Sequence, residues 1–86
     1  MNCSLELTLT PLKADYKPSI KQFILALRAT GYTLKENPLS TQIYGDYDAL
    51  MMSLVPLIKK TFTEEEAVML HLKLLKGDRS NYEPDF

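Results

Sequence analysis

The residues of this chain best suited to chemistry are polar side chains spaced two apart within short alternating segments. Glu6 and Thr8 lie in one such segment, and Ser40, Gln42 and Tyr44 lie in another. Side chains two apart point to the same face of a β-strand. A carboxylate, a carboxamide and hydroxyl groups on one face can both donate and accept hydrogen bonds, which suits a small polar ligand or a hydrated interface.

The sequence contains few of the side chains that most often perform catalysis, and they do not form a recognisable catalytic set. Cys3 and His71 are the only cysteine and the only histidine, and the alternation of their segments places them on opposite faces, which disfavours a Cys–His dyad. We find no glycine-rich phosphate loop, no metal-ligand spacing and no Ser–His–acid set, so we predict no catalytic residue and no metal ligand. His71 lies on the polar face of its segment and is kept as a candidate binding residue.

Composition and charge narrow the class of protein. The 86 residues are 45% hydrophobic and 24% charged, which indicates one globular domain, and ten basic and eleven acidic residues give no electrostatic reason to expect nucleic acid or an anionic membrane as a partner. A single cysteine fits a reducing compartment, and the sequence shows no apolar run long enough to span a membrane and no secretory signal. We therefore expect a soluble cytoplasmic protein with a domain at 1–78 and a loose polar tail at 79–86.

Periodicity predicts the elements that position the candidate residues. Period-two alternation indicates four strands, and apolar side chains at helical spacing indicate two helices. Pro18 suits a first helical turn, Gly31 a helix end and Asp46 an N-cap, with Gly45 allowing a tight exit from the strand before it. Pro56 predicts a bend or break in the second helix. The predicted strands are 3–10, 32–36, the stretch from Pro38 to Tyr44, and 67–75; the helices begin at Pro18 and Asp46.

The order βαββαβ predicts the fold. With right-handed crossovers it gives an α+β, ferredoxin-like sandwich, in which a four-stranded antiparallel sheet carries both helices on one face and its first and third strands are central. The leucine-rich strand faces, including that of Val68, Leu70, Leu72 and Leu74, are expected to meet the helices, which leaves the other face open. That open face carries all six candidate binding residues: Glu6, Thr8, Ser40, Gln42, Tyr44 and His71.

Several stretches together resemble a known family. They are CSLELTLTPL, ATGYTLKENP, PLSTQIYGDYD and LHLKLLKGDR, which span nearly the whole chain. They are similar to the thiamine-binding YkoF-like (MTH1187-like) family of ferredoxin-like domains. The resemblance implies a non-catalytic protein that needs no cofactor and binds thiamine or its hydroxymethylpyrimidine moiety. Because the YkoF type has two tandem domains and this chain has one, it also implies a homo-oligomer, a dimer or dimer of dimers, formed through the open sheet face.

Roles for the candidate residues follow from that ligand. Glu6 or Gln42 would pair with the aminopyrimidine edge, Tyr44 would stack on a ring and favour a cation, and Ser40 matches a Ser/Thr pair of the family. A plainer interpretation of Glu6 is a cross-strand ion pair with Lys73 or Lys35.

Three other functions stay open at the level of sequence. One is a structural or regulatory self-association domain with no small ligand. Another is an amino-acid-sensing module, in which Asp15 or Asp46 would matter more than Glu6. The last is an acylphosphatase-like enzyme, which is disfavoured because residues 11–17 contain neither the arginine nor the glycine of a phosphate-binding loop.

Overall fold

The chain folds into one sheet with two helices, as predicted. The computed structural model describes residues 1–86. The strands lie in the order β2-β3-β1-β4 with every neighbouring pair antiparallel, so β1 and β3 are central and the fold is the ferredoxin-like α+β sandwich. Neither helix is long and apolar enough to cross a membrane. The elements are β1 (Asn2–Pro11), α1 (Lys17–Ala29), β2 (Thr33–Glu36), β3 (Thr41–Asp46), α2 (Tyr47–Glu64) and β4 (Val68–Lys76).

The helix ends follow the local signals of the sequence. Pro18 lies in the first turn of α1, and Gly31 follows that helix with a φ of +80°, a conformation that costs glycine little. Asp46 caps α2, since its carboxylate accepts a hydrogen bond from the Ala49 N–H at 3.2 Å. These signals fix where each helix starts and where α1 stops.

Pro56 does not break α2. The sequence predicts a bend or a break at Pro56, and the break is wrong, because the helix runs without interruption from Tyr47 to Glu64. Proline at position 56 cannot donate to the carbonyl of Met52. Met52 and Pro56 are both exposed, so water can satisfy that carbonyl and the helix continues.

The core lies between the helices and the two central strands. Its nine buried side chains come from β1, β3 and both helices, and they are Cys3, Leu5, Leu7, Leu9, Phe23, Leu27, Ile43, Leu50 and Leu54. Helix α1 lies against β1 and helix α2 against β3. A core of this size stabilises a small domain only modestly, so each of its side chains matters.

The helices do not cover the edge strand β4. Val68 and Leu70 are half-buried at the margin of the core, but Leu72 and Leu74 remain 44% and 48% exposed. The expectation that all four side chains meet the helices is therefore wrong for Leu72 and Leu74. Alternation correctly gives the face to which they point, but at this edge no helix lies over that face.

Gly45 has a different role from the one predicted. It lies inside β3 and not in a turn, and its φ is not positive. A Cβ atom at this position would come within 2.9 Å of Cδ1 of the Tyr32 ring. A side chain at this position would therefore have to displace the Tyr32 ring, and glycine lets the ring lie close to the strand.

Candidate functional site

The open face of the sheet carries a cavity of about 370 Å³, which we call the open-face cavity. Strands β1 and β3 contribute side chains to it, as do β4 and the C-terminal tail. Its volume lies near the lower end of the range for small-molecule sites, roughly 300–1,000 Å³. The lining residues are Ser4, Leu5, Glu6, Gln42, Tyr44, Lys73, Leu75, Arg79 and Tyr82.

The tail is held against the sheet by buried Ser4. The Ser4 hydroxyl donates to the carbonyl of Gly77 at 2.7 Å and accepts from the N–H of Arg79 at 3.0 Å. Farther along, the Lys35 ammonium donates to the carbonyl of Ser80. These bonds hold the backbone of residues 77, 79 and 80 against the sheet. They also place Arg79 and Tyr82 beside the cavity.

Glu6 is the acceptor at the site. Its Oε2 accepts a hydrogen bond from the Ser40 hydroxyl at 3.0 Å, and its Oε1 lies 3.7 Å from Nζ of Lys73. The cross-strand ion pair anticipated as the plainer interpretation is therefore present. Because 37% of the Glu6 side-chain surface and most of that of Lys73 are exposed, the pair contributes less than about 1 kcal/mol. The carboxylate retains lone pairs that can accept from a ligand.

Tyr44 and Gln42 satisfy each other. The Tyr44 hydroxyl donates to Oε1 of Gln42 at 2.7 Å, which leaves the two amide N–H groups of Gln42 as its available polar groups. Burial raises the pKa of Tyr44, and the nearby charges of Asp78 and Glu6 raise it further, so the phenol stays protonated at neutral pH. Nζ of Lys35 lies 5.8 Å from the Tyr44 ring centroid, so the ring already has a cation of the chain itself beside it.

The structure brings four of the six predicted site residues together. Glu6, Gln42 and Tyr44 line the open-face cavity, and Ser40 is bonded to Glu6. Thr8 and His71 are outside it. They lie opposite each other in the β1–β4 register, Thr8 donates to the carbonyl of Leu39 at 3.2 Å, and His71 is exposed.

Six residues that line the cavity were not among the predicted site residues. One is the core residue Leu5, and the others are Ser4, Lys73, Leu75, Arg79 and Tyr82. Alternation already placed Ser4 and Lys73 on the open face, so a signal for them existed. No comparable signal marks Arg79 and Tyr82, because the tail follows a glycine turn and has no periodicity.

The arrangement offers hydrogen bonds and charge but no activated nucleophile. Cys3 is buried in the core, which raises the pKa of its thiol, while His71 is exposed on the other face of the sheet. Cys3 and His71 thus lie on opposite faces of the sheet, as the alternation of their segments predicts. The groups that line the cavity can hold a small polar molecule in one orientation.

The attachment of the tail should depend on acid pH. The hydroxyl and N–H of Ser80 donate to the carboxylate of Asp78, the N–H at 2.8 Å, and these bonds lower the pKa of Asp78 below its ordinary 3.8. Because the pKa of Asp78 is lower in the folded chain than its ordinary value, the ionised carboxylate stabilises the turn fully when the pH is above the ordinary pKa. This stabilisation is lost as the pH falls through the lowered pKa. Amide ¹⁵N relaxation of residues 79–82 should therefore show a rigid tail at neutral pH and a mobile one in stronger acid. Asp78→Asn should flatten this dependence, and a tail equally rigid at both pH values would contradict the assignment.

Comparison with known proteins gives structural likeness only. No protein-family model matches the sequence, and no curated protein matches it significantly. Protein SP2199 of Streptococcus pneumoniae is 28% identical, with a TM-score of 0.82 over 91% of this chain and 89% of that one. A Thermotoga maritima protein (TM0486), provisionally named for thiamine biosynthesis or salvage, is 15% identical, with a TM-score of 0.80 over 90% of this chain and 85% of that one.

A domain of unknown function (DUF77) from Bacillus cereus is also similar, with 15% identity and a TM-score of 0.72 over 99% of this chain and 79% of that one. The two likenesses at 15% identity establish the fold alone. The chain is thus a ferredoxin-like domain whose open face carries a cavity lined by both polar and apolar side chains.

Proposed function

We propose that this protein binds the hydroxymethylpyrimidine moiety of thiamine in the open-face cavity and catalyses no reaction on it. The observation that carries the proposal is the Glu6 carboxylate, which lines a cavity of suitable size and still has free lone pairs. The thiamine-related name of the Thermotoga maritima neighbour and the sequence resemblance both point to the same class of ligand.

The chemistry of the lining fits an aminopyrimidine. Such a ring carries an amino group that donates hydrogen bonds and ring nitrogens that accept them. Glu6 can accept from the amino group, and the amide of Gln42 or the cationic groups of Lys73 and Arg79 can donate to a ring nitrogen. Leu75 and Tyr82 add apolar surface for the faces of the ring.

The charges of the lining favour the neutral moiety over whole thiamine. Glu6, Lys73 and Arg79 sum to a formal charge of +1 (two cations and one carboxylate). The Tyr44 ring, predicted to favour a ligand cation, already has Lys35 beside it. A thiazolium cation would be repelled by these groups, so we infer that free hydroxymethylpyrimidine binds more tightly than thiamine.

Isothermal titration calorimetry tests the proposal with three ligands. Hydroxymethylpyrimidine should bind with a stoichiometry of one per chain, thiamine should bind more weakly, and the same pyrimidine without its amino group should lose most of the affinity. The absence of heat with both hydroxymethylpyrimidine and thiamine at millimolar concentration would overturn the proposal.

We also propose that the chain acts as a homo-oligomer. Assembly through the open face, as the family resemblance implies, stays a prediction. Because Ser4 and Lys35 hold the tail on that face, a facing copy would have to contact Arg79 and Tyr82 as well as the sheet.

A further inference from the structure

The outer edge of β4 differs from the opposite edge of the sheet. Strand β2 is short, contains Lys35 and is soon followed by Pro38, features that protect an edge from pairing with other chains. Strand β4 is nine residues long and has no proline. It exposes large apolar side chains on both of its faces, and these are Leu72 and Leu74 on the helix side and Met69 and Leu75 on the open side.

The direction of the free backbone groups follows from two hydrogen bonds at the ends of the β1–β4 ladder. The N–H of Gly77 donates to the carbonyl of Asn2 at 2.8 Å, and the N–H of Leu12 donates to the carbonyl of Ala67 at 2.9 Å. The odd-numbered residues of β4 therefore bond to β1, since hydrogen-bonding groups alternate sides along a strand. The N–H and C=O groups of the even-numbered residues point outward: Val68, Leu70, Leu72, Leu74 and Lys76.

We propose that β4 pairs with β4 of a second copy of this chain, antiparallel and about a two-fold axis at Leu72, to form one continuous eight-stranded sheet. Residue 72 is the middle of the strand Val68–Lys76, so this axis pairs every outward-pointing residue with an outward-pointing residue of the other copy. Any other axis leaves at least one of them without a partner in β4.

The side chains support this register. On the helix side, Leu72 meets Leu72 of the second copy and Leu70 meets its Leu74, so the surface that the helices leave bare becomes a leucine cluster. Burial of such side chains favours association, and paired residues on one face of an antiparallel sheet lie close enough to interact.

The charges are also compatible with it. On the open side, Lys73 lies opposite His71 of the second copy, and on the helix side Lys76 lies opposite Val68. Moving the axis by one residue to Lys73 would instead place two lysines directly opposite each other, which is destabilising.

The pairing also brings new groups close to the open-face cavity. Leu75 and Lys73 line that cavity, and across the new edge they face Met69 and His71 of the second copy. His71, which lies outside the cavity of its own chain, would thus stand next to that of the other chain. The dimer itself does not depend on the proposed ligand.

Two cysteine variants test the register. In the proposed dimer Leu72 forms a hydrogen-bonded pair with Leu72 of the second copy. Their Cα atoms are about 5.5 Å apart, a distance that a disulfide can span. The two Leu74 residues are offset by four positions along the strands, roughly 13 Å, which a disulfide cannot span. Under mild oxidation Leu72→Cys should form a covalent dimer and Leu74→Cys should not, while Cys3 stays buried in both. Cross-linking of Leu74→Cys as readily as of Leu72→Cys would overturn the register.

Sedimentation equilibrium tests the dimer without any cysteine chemistry. The wild-type chain should be at least a dimer at micromolar concentration, and Leu72→Lys should have half the wild-type mass with an unchanged far-ultraviolet circular dichroism spectrum. Val55→Lys, at an exposed apolar position on α2, is the matched control and should keep the wild-type mass. A wild-type monomer, or a Leu72→Lys variant of unchanged mass, would overturn the proposal.

Discussion

Glu6→Gln is expected to weaken the binding of hydroxymethylpyrimidine by at least about tenfold. A hydrogen bond to a charged group is worth about 1.5–3 kcal/mol, and each 1.4 kcal/mol is a factor of about ten in Kd. Glutamine keeps the shape of the side chain but replaces one carboxylate oxygen by an NH2 group. That group cannot accept from the amino group of the ligand and is an additional donor beside Lys73, which lies 3.7 Å from Glu6.

Calorimetry with a matched control measures this effect. Glu66→Gln makes the same chemical change on an exposed residue outside the cavity and should leave the affinity unchanged. Equal affinities for wild type and Glu6→Gln, with the fold intact, would show that the carboxylate does not touch the ligand. The site would then have to be sought elsewhere on the molecule.

Leu27→Ala is expected to have the largest effect on stability. Leu27 is 0% exposed and lies in the core between α1 and the sheet, so its truncation loses buried apolar surface and leaves a cavity. Such substitutions cost about 2–5 kcal/mol. Domains of this kind are stable by only about 5–15 kcal/mol in total, so the variant should approach the limit of folding.

Leu25→Ala is the control for this substitution. It makes the same chemical change two residues away on the same helix, but Leu25 is 47% exposed and its truncation should cost less than about 1 kcal/mol. Urea denaturation of wild type and both variants gives the two differences in the free energy of unfolding. Similar values for positions 25 and 27 would contradict the placement of the core.

The fold could be predicted from sequence because its determinants are local. Alternation in β1, the proline at the start of α1 and the Asp46 cap each act within a few residues and fix the type and order of the elements. The exposure of Leu72 and Leu74 could not be predicted in this way. Alternation tells to which face a side chain points, but the helix positions over β1 and β3 decide whether that face is covered.

The candidate site was predictable in part for the same reason. Alternation placed Glu6, Gln42 and Tyr44 on the open face, and they line one cavity. Thr8 shares that face but lies farther along β1, and period two carries no information about distance along a strand. Arg79 reaches the site through a bond to Ser4 across 75 positions of sequence, for which no local pattern exists.

If hydroxymethylpyrimidine binds in the open-face cavity, the backbone amides around that cavity should respond to the ligand. The most direct test is a titration of ¹⁵N-labelled protein with hydroxymethylpyrimidine, followed by ¹H–¹⁵N correlation spectra. We predict that chemical shift changes concentrate at the amides of Ser4, Glu6, Gln42, Tyr44 and Arg79. Changes clustered instead at the groove between the helices, around Ser19, Gln22 and Lys60, or no changes at millimolar ligand, would contradict the account.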